Sequence, residues 1–90
     1  MQYFFSGHVF QRMAERQVSP NMIKAIIKNG TVIKEYPDDT PYPSRLILGF
    51  DGKRPLHVVS AYNPANDVEY VITVYEPYAE QWSNNFTERK

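Results

Sequence analysis

At Gly30 the hydrophobic pattern of the chain changes period, and this limits the possible folds more than any other feature. Before Gly30, apolar residues recur at helical spacing; after it, they alternate. Met22, Ile23, Ile26 and Ile27 form an i, i+1, i+4, i+5 stripe, with Lys24 and Lys28 turned away. Ser19 is a cap, Pro20 occupies a first helical position where no amide is missed, and Gly30 closes the end, so a helix is predicted over 20–29. Upstream, Ser6 reads as the N-cap of a helix over 7–17. Val9, Phe10, Met13 and Ala14 make its apolar side, and His8, Arg12 and Arg16 line another. Only Gln17 and Val18 separate the two helices, which predicts a helical hairpin. Residues 2–5 suit a short first strand.

Beyond Gly30 the alternation predicts strands over 31–36, 45–50, 55–63 and 68–76. The three prolines in 37–44 exclude a central strand there and make it a loop. Asp51-Gly52 is a hairpin turn signal. Short turns between the last three strands imply an antiparallel meander. His57, Val59, Ala61 and Asn63 share one face of their strand; Glu69, Val71, Thr73 and Tyr75 share one face of the next. Both faces are mixed, so the pattern leaves open which one meets the helices, and a one-residue slip exchanges them. The arrangement is consistent with His57 sharing a face with Thr73 or Tyr75. In the tail, Tyr78, Trp82 and Phe86 recur every four residues, which suits a short helix or a draped segment covering the core. The expected fold is α+β: one domain over 1–90, with an N-terminal helical hairpin on an antiparallel sheet of about four strands.

Composition narrows function mainly by exclusion. There is no cysteine, so disulfides and thiolate chemistry are absent. With only His8 and His57 far apart in sequence, no metal site or other cofactor is expected. No stretch approaches the roughly 18 apolar residues of a membrane span. The N-terminus lacks the basic region and apolar core of a signal peptide, so a cytoplasmic location is expected. Net charge is zero, with a basic surplus in residues 1–36. Bulk charge therefore does not announce a nucleic-acid binder.

Five short motifs occur in order: Ser6-x-His8-x-x-x-Arg12-Met13-x-x-Arg16, a capped second helix, Pro55-Leu56-His57-Val58-Val59, Thr73-Val74-Tyr75-x-Pro77, and Trp82 before a basic end, Arg89-Lys90. Together they resemble a family of short bacterial proteins known as a domain of unknown function, which looks related to the RelE and BrnT toxins of the barnase–EndoU–colicin–RelE superfamily. The resemblance covers nearly the whole chain. It implies the helical hairpin on a four-stranded antiparallel sheet, metal-independent RNA cleavage, and a toxin neutralised by a cognate antitoxin. The neutral charge departs from the basic character usual among RelE-type toxins and weakens the expected hold on phosphate.

Cleavage of that kind needs a base for the ribose 2′-OH, an acid for the leaving oxygen and positive charge at the phosphate. Histidine suits the first two roles and arginine the third. His8, Arg12, His57 and Tyr75 are the expected catalytic residues, with Arg16, Arg45 and Thr73 as substrate contacts. His8 lies in the first turn of its helix, where free amides favour an anion, and Arg12 lies one turn further along the same side. Each residue also has a structural reading. His8 can hydrogen-bond a carbonyl, Arg12 and Arg16 can lie over the core or pair with Glu15, Glu69 or Glu76, and His57, Thr73 and Tyr75 suit a sheet. The competing account is a non-catalytic member of the fold that binds a protein or forms a homodimer, using its many tyrosines.

Overall fold

Serine side chains fix both helix starts. Ser6 Oγ accepts from the Val9 amide at 3.3 Å, and Ser19 Oγ from the Met22 amide at 3.1 Å. Each satisfies an amide that the helix itself leaves without a partner. The computed structural model describes all 90 residues. It gives α1 as Gly7–Arg16 and α2 as Pro20–Asn29. Between them Gln17 turns left-handed (φ 55°), and the Val18 amide reaches back to the Met13 carbonyl at 2.8 Å. This six-to-one closure ends α1 and drives Val18 into the core, where it is 5% exposed. The Arg54 guanidinium donates to the last carbonyls of α1, those of Arg16 and Gln17.

The strands are β1 (Gln2–Phe5), β2 (Thr31–Tyr36), β3 (Ser44–Asp51), β4 (Arg54–Asn63), β5 (Val68–Tyr75), β6 (Trp82–Ser83) and β7 (Glu88–Arg89). The first five form one sheet in the order β1-β5-β4-β3-β2. The sequence-based fold is corrected here in three ways. First, the sheet has five strands and is mixed, because β1 pairs parallel to β5 from Gln2–Val68 to Phe5–Val71. A meander that ends at β5 leaves that edge unpaired. The intervening helices and strands supply the long connection that parallel pairing requires, and the Met1 ammonium holds Asp67 at 3.2 Å beside the pairing. Second, the helices are not packed as a hairpin. α1 lies over β5, and α2 lies over β3 and β4, each contacting the sheet far more than the other helix. Third, of the short helix and the draped segment expected for the tail, the structure has the draped one, and it carries two strands of its own. Asn84, Asn85 and Phe86 all have φ between 53° and 69°. Three successive left-handed residues reverse the chain, and β6 pairs with β7 as a two-stranded hairpin.

One core joins helices and sheet. Val9 and Met13 of α1, Val18, and Ile23 and Ile26 of α2 meet Ile47, Leu56, Val58, Val71 and Val74. Ile23, Ile47 and Leu56 are fully buried, and each contributes about 2–3 kcal/mol by leaving water. Leu56 and Val58 face the helices, so His57 between them faces the opposite side of the sheet. In β5 both Val71 and Val74 reach the core although they lie three residues apart. The pairing steps from Val59–Thr73 to Ser60–Val71, and Ile72 is left over as a bulge. A matching irregularity at Ile33 interrupts β2.

Gly49 marks the closest approach of α2 to the sheet. A Cβ there would lie 2.5 Å from Ile26 Cγ1 and 2.9 Å from Ile26 Cγ2. Gly49→Ala is expected to lower stability by about 1–3 kcal/mol through overpacking. Urea unfolding checks this; no loss would mean that α2 sits further from β3.

Candidate functional site

His57, on the sheet face away from the helices, has no solvent exposure at all. Its Nε2 lies 2.9 Å from the Phe86 carbonyl oxygen and its Nδ1 lies 3.1 Å from the Tyr75 hydroxyl. A carbonyl only accepts, so Nε2 carries the proton and Nδ1 accepts from Tyr75. The Trp82 ring closes over the imidazole edge-on, with centroids 4.4 Å apart. Burial pushes the His57 pKa below its ordinary value, against the opposing pull of the Phe86 carbonyl. Burial raises the Tyr75 phenol, Tyr36 adds to the rise, and Arg89 opposes it. This is a neutral imidazole with both nitrogens engaged, sealed beneath the β6–β7 segment.

Of the other expected site residues, only Thr73 and Tyr75 lie beside His57. Thr73 pairs with Val59 and stands on the His57 face, so His57, Thr73 and Tyr75 share one neighbourhood. His8 is exposed and Arg12 half-buried on α1, across the sheet from His57, and neither has a hydrogen bond or ion pair. Arg16 lies at the end of α1, with its Nε buried and unpartnered. Arg45 is on the helix-facing side of β3, where its Nη2 holds Glu69 Oε1 at 2.6 Å. The expected quartet of His8, Arg12, His57 and Tyr75 is therefore divided between two sides of a packed sheet.

Sequence reasoning missed Glu69 as the partner of Arg45, and Phe86 as the partner of His57. Alternation carries no signal for either contact, since one crosses β4 diagonally and the other uses a backbone carbonyl. No three His, Asp or Glu side chains converge as metal ligands.

A second feature lies on the His57 face, at the opposite end of β5. Tyr70 stacks on Tyr42 (centroids 5.6 Å apart, planes 16° apart) and touches Phe4 at 5.7 Å. Phe4 is 55% exposed and the bulged Ile72 41%. A cavity of about 480 Å³ opens between Tyr42, Tyr70, Ile72 and Asp39. Asp39 already accepts from Ser44 Oγ (2.6 Å) and the Thr40 amide (3.0 Å), yet a carboxylate has about four acceptor positions.

Residues 5–76 match the family described as Domain of unknown function (DUF4258). The chain belongs to that family. The match spans α1 to the end of β5, and so includes the whole core and the Arg45–Glu69 pair. In this DUF4258 domain the segment that covers His57, residues 77–90, lies beyond the matched span. No curated protein and no solved structure matches the chain. Neither helix is long and apolar enough to cross a membrane.

Proposed function

We propose that this DUF4258 domain is a non-catalytic binding module that captures a cationic side chain on a partner protein through the Tyr42–Tyr70 pocket. The observation that carries this reading is the aromatic cluster itself. Phe4, Tyr42, Tyr70 and Ile72 expose apolar surface that the core does not use, beside the carboxylate of Asp39. Exposed aromatic surface next to acid suits an arginine or lysine, since the ring face attracts the cation and the carboxylate neutralises it. The same charge disfavours RNA at this pocket, because Asp39 repels phosphate. A cognate antitoxin, as the resemblance to RelE and BrnT toxins implies, is one partner of the required kind.

RNA cleavage would require a different arrangement of the two histidines. Proton transfer needs a base and an acid within hydrogen-bond reach of one substrate. His57 has no free nitrogen to offer, and His8 stands across the sheet from it. Titration of isotope-labelled protein with an acetylated, amidated tripeptide containing arginine, against its glutamate counterpart, provides the test. Chemical shifts at Phe4, Tyr42, Tyr70 and Ile72 are expected to move with the arginine peptide alone. In Tyr70→Ala the response should fall about tenfold, the loss of one desolvated cation–ring contact. Purified protein that cleaves total RNA, with the activity lost in His8→Ala, would overturn the proposal.

A further inference from the structure

Between the β6–β7 segment and the sheet lies a separate cavity of about 450 Å³, within the ordinary size range of small-molecule sites. Leu46 and Tyr75 line it from the sheet, Tyr36 and Lys34 from β2, and Trp82 and Arg89 from the hairpin. Two features distinguish it from a packing gap. Three aromatic side chains border one space, and so do two cations from distant parts of the chain. Lys34 Nζ is 5.4 Å from the centre of the Tyr36 ring, and the Arg89 guanidinium is 5.6 Å from that of Trp82. Both cations are exposed, neither has a carboxylate partner, and no acidic residue lines the cavity. Glu88, beside Arg89 in sequence, is bonded instead to Asn84 Nδ2 at 3.1 Å.

Two unpaired cations leave about two positive charges over an aromatic pocket. A phosphomonoester carries about −1.5 to −2 at neutral pH and offers three acceptor oxygens. Arginine meets such a group with its planar fork, and lysine meets it as a point charge. A flat heteroaromatic ring supplies the surface that Tyr36, Tyr75 and Trp82 would cover, since every base offers a π-face to an aromatic side chain.

We infer that the cavity under the C-terminal hairpin binds a mononucleotide, its phosphate between Lys34 and Arg89 and its base against Tyr75 and Trp82. The site goes beyond the partner-binding reading and uses a different part of the sheet face. Trp82 and Arg89 lie past the residues that match the family.

Trp82 is the only tryptophan, so its emission reports directly on the cavity. Titration of the full chain with adenosine 5′-monophosphate at physiological salt is expected to change that emission saturably. Lys34→Ala and Arg89→Ala should each weaken the response about tenfold, and Arg89→Lys should weaken it less. Both positions are exposed, so the variants should keep the wild-type unfolding midpoint. Adenosine and inorganic phosphate should each bind far more weakly than the nucleotide. Adenosine equal to the nucleotide would remove the phosphate contact, and phosphate equal to it would remove the ring slot. Either result, or no saturation at millimolar nucleotide, overturns the proposal. Tyr70→Ala should leave this titration unchanged, which separates failure here from failure of the partner-binding reading.

Discussion

Arg45→Ala is expected to destabilise the domain by about 3–5 kcal/mol, the usual loss when one member of a buried ion pair is removed. The side chain of Glu69 is 2% exposed and that of Arg45 33%, with Oε1 and Nη2 at 2.6 Å. Without the guanidinium the carboxylate keeps its burial and loses its only partner. Its second oxygen, Oε2, already lacks one within the protein. Pairing the deletion with Glu69→Leu should recover most of the loss, because the charge leaves together with its partner. The pair Arg54–Asp51 is the control. It holds 3.0 Å at 27% and 44% exposure, so Asp51→Ala should cost less than about 1 kcal/mol. Urea unfolding with unchanged slope reads all three variants. An Arg45→Ala loss as small as the control would mean that Glu69 is hydrated in solution. The same contact bears on function, since the guanidinium expected to hold substrate is committed to Glu69.

Local chemistry was legible in the sequence where one residue decides the outcome. Ser6 and Ser19 cap the helices, Pro20 begins the second, and Pro37, Pro41 and Pro43 keep residues 37–43 out of the sheet. The assignment of faces was not legible, for a physical reason. Strict alternation puts Val71 and Val74 on opposite sides, yet both are core. Ile72 bulges out between them and resets the period. A single leftover residue of that kind has no signature of its own, because isoleucine suits both a regular strand and a bulge. The fifth strand was hidden differently. Residues 2–5 read as a strand but name no partner, and the pairing to β5 depends on an edge that exists only after the meander has formed.

The candidate site divides in the same way. That His57, Thr73 and Tyr75 lie near one another follows from pairing two adjacent strands, and the spacing allowed it. The distance from His8 to that group depends on which face the helices cover, and the bulge had obscured this. The four-residue spacing of Tyr78, Trp82 and Phe86 suits a helix and a draped segment equally, and the structure takes the second, with Asn84, Asn85 and Phe86 all in left-handed backbone. Asparagine tolerates that region; phenylalanine at φ 69° does so where its carbonyl meets His57. Tertiary contact decided the outcome there, which local periodicity left open.

Acid should loosen the cover over His57, and the sign follows from its depressed pKa. In the unfolded chain the imidazole titrates near 6.5; in the folded chain burial holds it lower. Between the two values the unfolded state binds more protons, so stability rises with pH. The contribution is complete above about pH 6.5 and is lost as pH falls toward the folded value, with a slope of at most about 1.4 kcal/mol per pH unit. Protonation also places a second N–H at Nδ1, facing the Tyr75 hydroxyl that had been donating to it. Melting temperature should therefore be level above neutrality and fall below it, with Trp82 emission shifting red as the hairpin lifts. His57→Ala should cost about 2–5 kcal/mol at neutral pH through the cavity and the unpaired Phe86 carbonyl. That variant should also flatten the acid limb, whereas His8→Ala should leave it in place. An acid limb that survives His57→Ala would assign the pH response to another group.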